Sequence, residues 1–563
     1  VHGLPIIEHA EFGRNVPDEA MPDEDKMNLG KIYHMGKEEA AGLLLNRQAM
    51  ASHTFITGST GTGKSNAVYH LLDEITKNGQ TTFLVVEPAK GEYKNVFGNC
   101  TDVQVFGTNP RETPLLRMNP FAFPENIHIL EHIDRLVEIF NACWPMYAAM
   151  PAVLKDAIER SYQKVGWDLR NSESEKGVFP TFFDLLDILP GVIEESHYSK
   201  DTQSDYVGAL CTRVKSLTNG IYGSVLCAED ALTDEALFDR NVIVDLSRVG
   251  SMETKSLLMG ILVMKLQEYR MCSSGMNSRL RHVTVLEEAH NLLRKTSAEQ
   301  SQEGANLQGK SVEMLANAIA EMRTYGEGFI IADQAPGLLD MSVIRNTNTK
   351  IILRLPDEED RKLVGKSAAL KEAQIDELSK LPLGVAAVYQ NEWPEAVLCK
   401  IEAYPMPENA VYHKPSKMPH EINAEFVFGQ LAVGKELEPL SSSEMEQLKL
   451  WLKRHETVLK PEDSRYLERV FAGGELDVAK TRKAVFDFFG GIGTVVDYCA
   501  AAKKSLTPRK EFLEQLQGQY GLKAAAADWV LNSVISMGMS LNPDAKAVDN
   551  LRTNFEQQGG RVL

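Results

Sequence analysis

Residues 58–65 read Gly58-Ser59-Thr60-Gly61-Thr62-Gly63-Lys64-Ser65. Small residues closed by a lysine and a hydroxyl let backbone N–H groups curl round a phosphate. Lys64 would reach the β- and γ-phosphates of a nucleoside triphosphate, and Ser65 would place a hydroxyl on Mg²⁺. Asn66 opens the next helix, whose positive end points at the same phosphates, and is grouped with the loop as a nucleotide contact. Hydrolysis also needs carboxylates. Residues 282–288 are an apolar run ending in Glu287 and Glu288, on a strand expected beside the phosphate loop. Glu287 would hold the water shell of Mg²⁺, and Glu288 would orient and polarise the attacking water. Neighbours on a strand face opposite ways, so both acids serve one site only if the chain turns at the strand end. Gln334 ends the next strand; it would sense the γ-phosphate or hold the water, or else act as a turn residue. No Asn-Lys-x-Asp base-reading motif is present, which favours ATP over GTP.

These groups need a frame. Residues 53–57 read as a strand feeding the loop, and 66–77 as the following helix, with Ala67, Val68, Leu71, Leu72 and Ile75 on one face. Further strands are expected at 82–86, 242–246, 282–286, 328–332, 350–355 and 385–389, with helices at 253–269 and 312–325. Strands alternating with helices predict a parallel α/β sheet. Residues 120–240 read as mainly helical, 294–309 as a polar loop, and 1–40 as acidic and irregular. Past about residue 415 strand-like runs give way to Lys- and Glu-rich helical patterns, which predicts a C-terminal helical domain.

The chain has 563 residues, more than one hydrophobic core holds, so two or more domains are expected. It is 43% hydrophobic and 25% charged, as in ordinary soluble proteins. A net charge of −18 argues against a surface coated for DNA binding; a ring that threads DNA needs basic groups only along its channel. No run of 18 apolar residues occurs, so a membrane span is not expected. None of the seven cysteines forms a Cys-x-x-Cys pair, which points to buried thiols in a reducing cytoplasm. The chain opens on Val1, which suggests a removed start or a fragment.

Taken together, four segments resemble the HerA/FtsK superfamily, most closely the HerA-like ATPases of bacteria and archaea. They are residues 55–65, then 87–93 (EPAKGEY), then 286–292 (LEEAHNL), then 323–328 (RTYGEG) running into 331–334 (IADQ). The resemblance covers about residues 28–405. It implies a RecA-like P-loop ATPase core over 41–119 and 241–405, with a helical bundle at 120–240 inserted between the second and third core strands. The helical domain at 416–563 lies outside it. Family members often begin with a small β-barrel, of which residues 1–40 would be a remnant, truncated or replaced.

The resemblance further implies a homohexameric ring, driven by ATP and Mg²⁺ along double-stranded DNA. In such rings a neighbour supplies an arginine to the γ-phosphate. Arg323 stands at the family position and is the first candidate. Relatives also carry an arginine where this chain has Ser52, with Arg47 the nearest; Arg354 is a third candidate. By resemblance Glu87, Lys90 and Glu92 border the nucleotide. Arg294, Lys295 and Lys310, or Lys90 and Lys94, are candidates to face DNA. A separate nuclease or other effector is the expected partner, in antiphage defence or DNA-end processing. The alternatives are a peripheral secretion or conjugation ATPase, or an ATP-switched ring that scaffolds an effector.

Overall fold

The computed structural model describes residues 9–16, 21–147, 149–174, 178–228, 231–296, 304–406, 410–414, 461–471, 477–505, 507–520 and 524–562. The chain divides into two compact units, Val1–Lys414 and Pro415–Leu563.

The first unit is built on one sheet. Its strands are β1 (Lys26–His34), β2 (Lys37–Asn46), β3 (Thr54–Thr57), β4 (Thr82–Glu87), β5 (Val103–Gly107), β8 (Asn241–Asp245), β9 (His282–Glu287), β10 (Glu327–Asp333), β11 (Thr349–Ile352), β12 (Val385–Gln390) and β13 (Val397–Ile401). A separate small ribbon pairs β6 (Trp167–Asp168) with β7 (Glu173–Ser174). The order in the large sheet is β2-β1-β13-β12-β11-β3-β10-β9-β4-β8-β5. From β11 to β5 every neighbouring pair is parallel. These strands are near-continuous apolar runs because helices cover both faces. Ile56, Val85, Val285, Ile330 and Ile351 share a core with Leu71 and Leu72 of α1 (Lys64–Thr76). This is the parallel α/β sheet that the strand–helix alternation predicts and the RecA-like core that the resemblance implies.

Several expectations need correction. Residues 26–40 are not irregular. They lie in the β1–β2 hairpin, antiparallel to β13 at the sheet edge. Met35 and Gly36 both have positive φ, 47° and 78°, as a two-residue primed turn requires; Met-Gly in place of Asn-Gly hides that turn in the sequence. Strand β9, expected beside the phosphate loop, is separated from β3 by β10, yet its end still reaches the loop lysine. The helical insertion follows β5, an edge strand absent from the sequence reading, whose outer residues Val103 and Gln104 are only partly buried. It therefore enters after the third parallel strand in chain order. Residues 304–309, read as loop, begin the helix Gly304–Glu321; 297–303 lie outside the described residues.

The insertion carries α3 (Ile129–Cys143), α4 (Met150–Lys164) and α5 (Phe182–Glu195), which follow the short α2 (Tyr93–Phe97). Thr181 and Asp184 form a reciprocal capping box that starts α5. His132 of α3 is buried 2.9 Å from Glu268 on the helix Met252–Ser273, which ties the bundle to the sheet.

In the second unit the described helices are Pro461–Phe471, Val478–Phe488, Gly491–Ala501, Pro508–Tyr520, Ala524–Leu541 and Ala545–Gln557. They pack round Leu467, Tyr498, Leu531, Ile535 and Phe555. The helical reading of 415–460 lies outside the described residues. Among the described residues no single helix is long and apolar enough to cross a membrane; the pair Ala479–Phe488 and Gly491–Ala501, bent by 62°, reaches that length together. All seven cysteines are free, but only Cys143 and Cys399 are buried, in place of the general burial expected.

Candidate active site

The phosphate loop leaves β3 and runs into α1, which begins at Lys64. Gly63 has φ +104°, a left-handed setting that a side chain resists. At Gly58 an added Cβ would lie 2.7 Å from both Leu353 Cβ and Thr62 Oγ1, so only glycine fits. The loop is held from outside as well: Ser59 N–H donates to the Arg354 carbonyl (3.0 Å), and Gly384 N–H donates to the Thr62 carbonyl (3.0 Å). The cleft it lines, about 300 Å³, includes Lys64, Ser65, Lys90 and Gln334.

Both acids line the adjoining recess, which shares Lys64, Ser65 and Lys90 with this cleft. Glu287 ends β9, and Glu288 adopts φ +45° and ψ +51°. That left-handed residue breaks the strand alternation and brings consecutive carboxylates to the same lysine. Lys64 Nζ lies 2.5 Å from Glu287 Oε2 and 3.7 Å from Glu288 Oε1. Tyr93 OH donates to Glu287 Oε1 at 2.5 Å. Gln334, at the end of the intervening strand β10, donates to Glu288 Oε1 and accepts from Thr60 Oγ1, both at 2.7 Å. A continuous polar path therefore runs from the loop through Gln334 and Glu288 to Lys64.

Burial alone would push the Lys64 pKa down, but Glu287, Glu288 and Asp333 outweigh it and hold the ammonium above its ordinary value. Burial pushes the Glu87 carboxyl up to about 7, with Asp245 and Glu287 adding to the rise and the N–H groups of Glu92 and Tyr93 opposing it. The Asp333 hydrogen bond raises His290.

Residues 27–265 match the central domain of the helicase HerA. The DNA double-strand break repair helicase HerA of Sulfolobus acidocaldarius is 25% identical over 393 residues, covering 67% of this chain and 69% of that protein. A probable helicase of Methanocaldococcus jannaschii is 23% identical over 436 residues, covering 71% and 76%. The chain is an ATPase similar to the HerA helicases. Its fold is also that of VirB4 of Thermoanaerobacter pseudethanolicus, at TM-score 0.51 and 18% identity over 68% of this chain and 98% of that one.

In this ATPase the structure gathers Lys64, Ser65, Glu287, Glu288 and Gln334 at one sheet end. Asn66 also lines the cleft, while its amide donates to the Glu402 carbonyl and accepts from Tyr404 N–H, which ties α1 to the segment after β13. Arg323 is elsewhere. It is exposed on the short turn Met322–Tyr325 that precedes β10, whereas Gln334 follows that strand. Seven residues of strand, about 20 Å, separate Arg323 from the loop of its own subunit. Arg47 is buried and donates to the Glu74 and Ile75 carbonyls, so it is a packing residue. Exposed Arg354 stays beside the loop.

Glu87 accepts from the N–H groups of Glu92 and Tyr93 and so anchors α2; with Lys90 and Glu92 it borders a recess shared with Lys64 and Ser65. Lys94 does not face outward. It is paired with Asp245 at 2.6 Å and Glu112 at 3.0 Å, which removes it as a DNA contact. Arg294, Lys295 and Lys310 are exposed.

Sequence reasoning missed Tyr93, and with it the fixing of Glu287. It also missed Asp333 and His290, which meet at 2.9 Å beside Glu288. The acid ending β10 one residue before Gln334 was the available signal for Asp333. Two donor sets could hold a cation. Ser65 and Glu287 each offer an oxygen donor to one recess, which suits Mg²⁺ once the Lys64 ammonium leaves Glu287. Glu288, His290 and Asp333 lie within 4.8 Å of one another, but an imidazole is a poor partner for Mg²⁺.

Proposed function

We propose that this HerA-like ATPase is a motor that hydrolyses ATP to move along double-stranded DNA as a homohexameric ring. The observation that carries the proposal is the path joining Thr60, Gln334, Glu288, Lys64 and Glu287 over the loop, which can couple nucleotide state to sheet geometry.

In the mechanism proposed, loop N–H groups and Lys64 bind the β- and γ-phosphates of ATP. Lys64 leaves Glu287 for the phosphates, which frees that carboxylate. Ser65 and Glu287 would hold Mg²⁺. Bound there, Mg²⁺ supplies charge neutralisation on the phosphate oxygens. Glu288 polarises the attacking water and takes its proton. Gln334 holds Glu288 against rotation. Arg323 reaches the γ-phosphate of the neighbouring subunit; its position beyond the far end of β10 supports a trans role over a cis one.

The double-strand break repair name of the relatives supports DNA as the track. A separate nuclease or other effector, in antiphage defence or end processing, is the partner this reading calls for. The cytoplasm is the expected compartment. The test is displacement of a protein roadblock from linear duplex DNA. The reading predicts ATP-dependent displacement by the wild type and none by Glu288→Gln; equal displacement by both contradicts it.

A further inference from the structure

At the end of the sheet opposite the phosphate loop lies a second cleft, of about 690 Å³, lined by Arg323, Arg345, Asn346, Asn348, Asn391 and one acid, Glu321, among others. It opens beside the first residues of β3, β10 and β11, so its arginines are a strand length from the phosphate loop of their own subunit. Arg323 and Arg345 are both exposed. Among the described residues neither guanidinium has a hydrogen bond or an ion pair. The floor is ordered: Asn348 N–H donates to the Ser52 carbonyl (2.9 Å), and Asn391 N–H donates to Asn348 Oδ1 (2.8 Å). Two unpaired guanidiniums among side-chain amides outnumber the single carboxylate of Glu321 and make a receptor for a polyanion, since a guanidinium fork matches phosphate oxygens.

The ATP cleft lacks the complementary group. No arginine is among its described lining residues. Yet phosphoryl transfer builds negative charge that a guanidinium stabilises strongly. In a ring of identical subunits each interface is heterologous, so two different faces meet. The face with unpaired arginines and the face whose phosphate cleft has no arginine in its lining, Arg354 standing beside the loop outside that lining, are complementary in charge and chemistry. The chain also joins them: the crossover that leaves Gln334 at one subunit's own site ends on Arg345, the last residue of the helix Met341–Arg345.

We infer that Arg345 is a second trans residue, which acts with Arg323 on the triphosphate bound by the neighbouring copy. This rests on the ring reading above. The Asn346, Asn348 and Asn391 amides line the pocket that admits the nucleotide.

The test is subunit complementation. Two tagged copies are co-expressed, mixed assemblies are isolated by both tags, and ATP turnover is measured. Arg345→Ala alone should lose about tenfold or more in kcat. Arg345→Lys, which keeps the charge, should assemble and retain part of the rate. Lys64→Ala alone should be inactive. Mixing Lys64→Ala with Arg345→Ala subunits should give turnover above both parents, because some interfaces then pair an intact Lys64 with an intact Arg345. Mixing Lys64→Ala with Glu288→Gln should restore nothing, since those two residues serve the same subunit's site. Restoration with Arg323→Ala but not with Arg345→Ala overturns this inference and leaves the ring reading standing. Full turnover by Arg345→Ala also overturns it. Full wild-type turnover in a monomer by native mass spectrometry overturns the ring reading and this inference together.

Discussion

Gln334 clamps Glu288 across the end of the sheet, donating a 2.7 Å hydrogen bond to its Oε1 while accepting one of the same length from Thr60. Removing the clamp should leave ATP binding intact and let the carboxylate rotate away from the water. Gln334→Ala is expected to lower kcat by roughly 10- to 100-fold with little change in nucleotide affinity. Steady-state kinetics beside fluorescent-nucleotide binding checks this. A matching fall in affinity would show that Gln334 acts on the nucleotide instead.

The left-handed backbone of Glu288 costs about 1–3 kcal/mol for a non-glycine residue. It is tolerated because it delivers the acid to the site. Glu288→Gln should bind ATP and fail to hydrolyse it. Glu288→Gly should also be inactive, yet unfold thermally no earlier than the wild type. Clear destabilisation by glycine would mean that the Glu288 side-chain contacts outweigh the backbone strain.

Tyr93 fixes Glu287 through a buried 2.5 Å hydrogen bond. Tyr93→Phe removes that donor and keeps the packing of the ring against Tyr69. A loss of about 1–3 kcal/mol in stability is expected. The Mg²⁺ concentration for half-maximal hydrolysis should also rise, because Glu287 is no longer oriented. A Mg²⁺ titration unchanged by the substitution would assign Tyr93 to packing alone.

His53 links the start of the loop strand to its surroundings. Its Nδ1 accepts from Phe329 N–H at 3.0 Å, so the proton of the neutral ring is on Nε2, facing the Ala320 carbonyl at 3.4 Å. Burial lowers its pKa from 6.5 to about 4, with Arg323 adding to the drop and the Ala320 carbonyl and Glu327 opposing it. Between pH 4 and 6.5 the unfolded chain therefore binds more protons than the folded one. The His53 contribution is fully present above pH 6.5 and is lost as pH falls towards 4. It is on the order of 3 kcal/mol. His53→Asn, which keeps an acceptor for Phe329 N–H, should flatten the pH dependence of unfolding in that window. An unchanged slope would assign it to other groups.

The catalytic loop was legible because its requirement is local: closely spaced small residues, a lysine and a hydroxyl. The acids were legible as an apolar run ending in charge. Their shared direction was not, since it depends on one left-handed residue, Glu288, with no side-chain signature. Tyr93 could not be paired with Glu287 from sequence, because the two are 194 positions apart and meet only once β4 lies beside β9. The β1–β2 hairpin and β5 were missed at sheet edges, where half-exposed strands lose the continuous apolar pattern of the centre. Arg323 was named by resemblance; its place beyond the opposite end of β10 needed the fold.

The central claim is an ATPase driven by Lys64 and Glu288 and engaged by duplex DNA. The most direct measurement is the ATP turnover of the wild type, Lys64→Ala and Glu288→Gln, with and without double-stranded DNA. The account predicts wild-type hydrolysis that rises on adding duplex, and none from either variant under both conditions. Hydrolysis that survives Glu288→Gln, or a wild-type rate indifferent to DNA, would contradict it.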